Sequence, residues 1–168
     1  ITFESGEDST SQLVGLTITN GNANKGGGIY CTQGSSPTLK QLIIKDNHAD
    51  DHGGGIACDW SSSPSMRSLR ILNNFASTGG GIQLSDHNSI IIQNSLVKNN
   101  TAGTFGGGIT SNSSTDLLIL DNVNILNNAA ATGGGVSLNS IEYFSMNNSL
   151  IENNTASNGG GGGIYITG

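Results

Sequence analysis

Three consecutive glycines followed by an apolar residue recur along this chain, and nothing else in the sequence constrains the fold as strongly. Gly26-Gly27-Gly28-Ile29 returns as Gly53-Gly54-Gly55-Ile56, Gly79-Gly80-Gly81-Ile82, Gly106-Gly107-Gly108-Ile109 and Gly133-Gly134-Gly135-Val136. A sixth copy lies within Gly159 to Gly163, before Ile164. A glycine loop that cradles phosphate is needed once per site, so repetition on this scale points to architecture. The blocks are spaced by 27, 26, 27, 27 and 26 to 28 residues, a period characteristic of solenoids. Low charge with many Gly, Ser, Thr and Asn would otherwise suggest disorder. Of the 26 glycines, however, 20 fall inside the six blocks, so they are placed rather than scattered.

A second marker runs in phase with the first. Ile18-Thr19-Asn20, Ile44-Lys45-Asp46, Ile71-Leu72-Asn73, Val97-Lys98-Asn99, Ile125-Leu126-Asn127 and Ile151-Glu152-Asn153 share the form apolar-x-Asn, with Asp46 the exception. An alanine follows three residues later in every copy: Ala23, Ala49, Ala76, Ala102, Ala130 and Ala156. Within each unit apolar residues alternate in short runs, as in Ile29-x-Cys31, Leu42-x-Ile44, Ile82-x-Leu84 and Val123-x-Ile125. Alternation over so few residues predicts short half-buried strands, and no stretch sustains a helical period. The expected architecture is all-β. It is a parallel β-helix of about six rungs with 26 to 27 residues each, forming one domain over residues 1–168. At the usual spacing of paired strands it makes a rod roughly 30 Å long.

Both markers have a physical reading. Glycine at a rung corner permits φ > 0 and lets the backbones above and below approach closely. The asparagine lies two residues beyond an inward Ile or Val, so strict alternation points it inward too. The sequence therefore predicts an inward ladder of Asn20, Asp46, Asn73, Asn99, Asn127 and Asn153, each amide bonding to the rungs on either side.

The markers resemble the right-handed parallel β-helix repeat of secreted and surface proteins in the broad pectate-lyase-like superfamily. The match runs from ITFESGEDSTSQLVGLTITNGNA through each GGGI block. They are also similar to the repeats of chlamydial polymorphic outer-membrane proteins, with Gly here in place of Ala and Ile or Val in place of Phe. The resemblance implies a right-handed coil, an extracellular or cell-surface location, and passenger, stalk or adhesive roles. Because this fold also hosts lyases and hydrolases, it leaves two readings. One is a non-enzymatic structural or adhesive rod. The alternative is a carbohydrate-binding or polysaccharide-degrading β-helix.

Composition excludes some partners. With 11% charged residues, a net charge of −6 and only six Lys and Arg, the chain lacks the clustered cations that nucleic acid requires. No run of about 18 apolar residues spans a membrane, and no cofactor is expected. The sequence starts and stops in register, with Ile1, Phe3, Ile164 and Ile166 at its extremes and no capping pattern. The expectation is a segment of a longer solenoid, or a subunit whose ends stack on other copies.

The candidate chemistry is sparse. His48-Ala49-Asp50-Asp51-His52 is the densest ionisable cluster. The rungs aligned with it carry Asn24, Lys25, Ser77 and Thr78, so no carboxylate ladder forms, and a solvated corner is favoured over a cation site. Arg67 is expected to stack on Lys40, and Arg70 to fall between Ile43 and Leu96, without the aligned acids a lyase centre needs. Paired carboxylates are the requirement for glycoside hydrolysis. Asp59 and Asp86 come nearest, one rung apart and offset by one residue, flanking Trp60, whose ring suits stacking on a sugar. These three are the glycan candidates. No metal site is predicted. The outward positions Tyr30, Ala57, Gln83, Thr110, Ser137 and Tyr165 are too irregular for an ice-binding array. Cys31 and Cys58 should stack inward on adjacent rungs, close enough for a disulfide, with packed thiols the equal alternative. Of four Asn-x-Ser/Thr sequons, at Asn99, Asn112, Asn147 and Asn153, Asn99 and Asn153 belong to the expected inward ladder, and Asn112, expected to follow the first strand of its rung in a Ser-rich loop, is the best glycosylation candidate.

Overall fold

A computed structural model describes residues 1–112 and 114–168. Among these residues there is no helix, and every strand pairing is parallel, with each strand stacked on its counterpart one rung away. The chain is a parallel β-helix of about six turns. Thr2–Phe3 and the six strands that follow the glycine blocks, from Ile29–Cys31 through Ile82–Ser85 to Ile164–Thr167, form a seven-stranded sheet. The strands that precede the blocks, from Asn22–Lys25 to Thr155–Ala156, form a six-stranded sheet. A third, wider sheet lies between them. In the early rungs it is made of strand pairs such as Thr38–Lys40 and Ile43–Lys45. In two later rungs the pair fuses into the single bent strands Ser89–Lys98 and Thr115–Leu126.

The register is the one that the repeat predicts. Ile29 pairs with Ile56, Ile56 with Ile82, Ile82 with Ile109, and Ile109 with Val136. Arg67 pairs with Lys40, and Arg70 with both Ile43 and Leu96. Identical side chains therefore fall in columns. Ile44, Ile71, Val97 and Ile125 form one fully buried column, and Leu39, Met66, Ile92 and Leu120 another. Each buried Ile or Leu contributes about 1.5–3 kcal/mol of hydrophobic stabilisation. In the terminal rungs the equivalent residues, including Leu13, Ile18, Ile151 and Ile164, have core on one side only and are half-buried.

The glycine blocks divide their labour. The first glycine of a block turns the corner at positive φ, as Gly106 does at +60°. The second and third sit where backbones touch. A Cβ on Gly107 would lie against the carbonyl oxygen of Ala129 and 2.5 Å from that of Gly134. Such a contact cannot be relieved by rotating a side chain, because both neighbours are main chain.

The asparagine ladder is displaced by one residue from its expected position. Asn20, Asp46, Asn73, Asn99, Asn127 and Asn153 are exposed and have φ between 54° and 58°. The left-handed conformation, which asparagine tolerates better than most residues, breaks the strand alternation at that position. The next residue then points inward. Asn47, Asn74, Asn100, Asn128 and Asn154 form the interior ladder, with Gly21 at the equivalent place in the first rung. The amide Nδ2 of Asn100 donates to Asn128 Oδ1 and to the Ile71 carbonyl, both at 3.0 Å. Its Oδ1 accepts from the Asn74 backbone N–H at 2.9 Å and from Asn74 Nδ2 at 3.0 Å. The amides of Asn74, Asn100 and Asn128, which have an asparagine on both sides, are thus fully used. Part of the expected series also stacks, but on the outside: Asn73 donates to Asp46 at 3.1 Å and Asn99 to Asn73 at 3.3 Å.

Candidate functional site

The three glycan candidates converge on one corner, but in two separate environments. Asp59 follows Cys58 on the outer face of the glycine-side sheet, where alternation turns its side chain away from the core. It is nevertheless only 1% exposed, because the corners before the first two glycine blocks cover it. Asp59 Oδ2 accepts from Lys25 Nζ at 3.0 Å and from the Tyr30 hydroxyl at 3.1 Å, and lies 3.4 Å from His52 Nε2. Its other oxygen has no partner among the described residues. Burial works to raise the Asp59 pKa, but the hydrogen bonds and charges of His52 and Lys25 outweigh it and hold the carboxyl below its usual range. Burial likewise pulls His52 down, and the Asp59 carboxylate more than compensates, so the imidazole sits above its ordinary value. A buried carboxylate held by an ammonium, a phenol and an imidazole is a locked cluster rather than a free acid or base.

Sequence reasoning missed Lys25, Tyr30 and His52 as partners of Asp59. The strand pairing was available as a signal, since Lys25 pairs with His52 across a one-residue bulge. That both side chains reach over the corner to the outer face of the next sheet was not.

Trp60, by contrast, is 65% exposed. With Gln33, Ser61, Asp86 and His87 it lines an open groove of about 620 Å³. Asp59 is not among the lining residues, so Asp59 and Asp86 do not face a common substrate space. A smaller hollow of about 280 Å³, lined by Glu4, Lys25, Tyr30 and Thr32, meets the first at Gln33 and Trp60. All five residues of the larger groove have left-handed backbones: Gln33 at 56°, Trp60 at 54°, Ser61 at 58°, Asp86 at 62° and His87 at 61°. The turns stack through main-chain bonds, Gly34 N–H to Trp60 carbonyl at 2.9 Å and Ser61 N–H to Asp86 carbonyl at 2.7 Å. For a bulky residue such as Trp60 this conformation costs roughly 1–2 kcal/mol. The same conformation recurs at other corners of the coil, as at Gln41, Ser68 and Asn94, so what sets this corner apart is the bulk of the residue placed there.

The remaining candidates are dispersed. In the corner cluster His48 pairs with Asp50 at 3.2 Å and its ring stacks on Phe75 at 5.1 Å, while His52 lies 3.1 Å from Asp51. Among the described residues no group of three His, Cys, Asp or Glu side chains is placed to hold a metal. Cys31 and Cys58 are register partners, both fully buried, and both are free thiols. The Cys58 thiol, donating to the sulfur of Cys31 and fully buried, is pushed well up. Asn112 is half-buried at the end of the strand Ile109–Asn112, paired with Ser85, rather than in a loop beyond it. The middle residue of its sequon, Ser113, lies outside the described residues. Asn99 and Asn153, set aside as inward, are exposed.

Comparison with known families agrees with this geometry. The family model described as a right handed beta helix region matches residues 4–140. The model described as the Chlamydia polymorphic membrane protein repeat matches residues 148–167. No curated protein and no solved structure matches the chain.

Proposed function

The chain belongs to the right-handed β-helix family, and from that premise we propose that it serves as a rigid, non-enzymatic solenoid displayed at a cell surface. The observation that carries the reading is the interior ladder. Asn47, Asn74, Asn100, Asn128 and Asn154 are joined by amide–amide bonds of 2.9–3.0 Å, each oxygen also accepting a backbone N–H from the adjacent rung. A network satisfied in this way fixes the register of every rung against its neighbours, which suits a stalk or passenger that must hold a shape outside the cell. The repeat match at residues 148–167 supports the surface placement. The separate environments of Asp59 and Asp86 favour a scaffold over carboxylate-pair hydrolysis.

The half-covered inward residues of the terminal rungs are completed, on this reading, by further rungs of like geometry. These belong to the same polypeptide or to another copy stacked end to end. Antibodies against the folded segment are expected to label intact, unpermeabilised cells of the source organism. Labelling only after permeabilisation would refute the placement, and turnover of acidic or neutral polysaccharides by the purified protein would refute the non-enzymatic assignment.

A further inference from the structure

We propose that the groove at Trp60 is a binding subsite for neutral hexopyranose glycans, with one sugar ring stacked on the indole. The reading does not depend on where the protein is displayed. A pyranose presents an apolar C–H face and a rim of hydroxyls, and the groove offers the complement of both. The indole supplies a broad apolar surface that can lose its water to a flat partner. Around it stand the Gln33 amide, the Ser61 hydroxyl, the Asp86 carboxylate and the His87 imidazole, a set that both donates and accepts hydrogen bonds. A few fixed polar groups beside an aromatic platform are the usual composition of a small-ligand site. Gln33 and Trp60 also border the neighbouring hollow, so the indole stands between two spaces and a chain of sugars can pass across it.

The charges select the class of sugar. Asp86 lies in the larger groove and Glu4 in the smaller, and neither makes an ion pair among the described residues. Lys25, the one ammonium in the furrow, is engaged by the Asp59 carboxylate at 3.0 Å. His87 is likewise held by Asp116 at 3.0 Å. The furrow therefore presents net negative charge, which repels uronate polymers and favours neutral hexoses over them. The backbone agrees with a ligand role. Asparagine or glycine would occupy the left-handed position at lower cost, yet the chain places its single tryptophan there.

That single tryptophan makes the test direct, because intrinsic fluorescence reports this site alone. The purified chain is titrated with neutral gluco-, manno- and galacto-configured hexasaccharides, with oligogalacturonate in parallel. A saturable blue shift with at least one neutral oligomer, and none with oligogalacturonate, is expected. Calorimetric titration of Trp60→Asn should show affinity reduced about tenfold or more, with a melting temperature equal to or above that of the parent. Asp86→Asn keeps hydrogen-bonding capacity, removes the charge, and should admit the galacturonate oligomer. The proposal is overturned if no neutral hexasaccharide shifts the emission at millimolar concentration. It is equally overturned if oligogalacturonate binds the parent as well as the neutral sugars do, or if Trp60→Asn binds unchanged.

Discussion

Replacing Asn100 with leucine tests the interior ladder most sharply, because Asn99 beside it supplies a matched control. Asn100 is 0% exposed, and its side chain takes part in four hydrogen bonds of 2.9–3.0 Å. Leucine has similar volume and no polar atom. The substitution strands the Asn74 backbone N–H and one Asn74 amide hydrogen in the core, and removes a donor from the Ile71 carbonyl. An orphaned buried group costs about 1–3 kcal/mol, so the two donors together cost about 4 kcal/mol. Burying the new aliphatic side chain returns about 1.5 kcal/mol or slightly more. The net loss is about 2–3 kcal/mol, which for a chain of this size lowers the melting temperature by roughly 5–10 °C. Asn99→Leu removes one exposed bond of 3.3 Å and places leucine at φ +57°, a loss of roughly 1–2 kcal/mol from the left-handed backbone. Thermal unfolding followed by circular dichroism should rank Asn100→Leu below Asn99→Leu. Asn99→Gly, which relieves the backbone and touches nothing inside, should stay near the parent. If Asn99→Leu proves the more damaging of the two, the assignment of the inward residue is wrong.

Two further outcomes are expected. Gly107→Ala puts a Cβ against two main-chain carbonyls and should cost about 3 kcal/mol or more, whereas Gly159→Ala, at φ +82° with nothing within 4 Å, should cost only about 1 kcal/mol from its backbone. Equal melting temperatures for the two variants would show that the blocks are linkers rather than packed corners. The cluster of Asp59, Lys25 and His52 should also give the fold a pH optimum. Asp59 is lowered, so its contribution is present above the unfolded carboxyl value of about 3.9 and is lost as pH falls through the folded value. His52 is raised, so its contribution is complete below about pH 6.5 and is lost as pH rises through the folded value. The melting temperature should peak between these limits, and Asp59→Asn should remove most of the decline on the alkaline side. An unchanged alkaline slope in that variant would dissociate His52 from Asp59.

The sequence by itself determined the period, the columns and the pairing. Spacing along one chain is a local property, and a solenoid converts it directly into register. Hence Ile29, Ile56, Ile82 and Ile109 align, Arg67 falls beside Lys40, and Cys31 beside Cys58. The crowding at the glycines was legible for the same reason, since only a missing Cβ explains three in succession. The direction of side chains at the corners was not legible. Strand alternation predicts facing only while the backbone stays extended, and the positive φ at Asn73, Asn99 and their equivalents passes the inward position to the next residue. The candidate corner was decided by tertiary structure too. The sequence marks Trp60 as a ring suited to stacking on a sugar, but it leaves Asp59 and Asp86 equivalent. What separates them is the path of the preceding corner, which folds Lys25 and His52 over the outside of the next sheet and neutralises Asp59. That contact joins residues 34 and seven positions apart across two faces of the coil. No periodicity records it, because it depends on how far a corner bends rather than on how often it recurs.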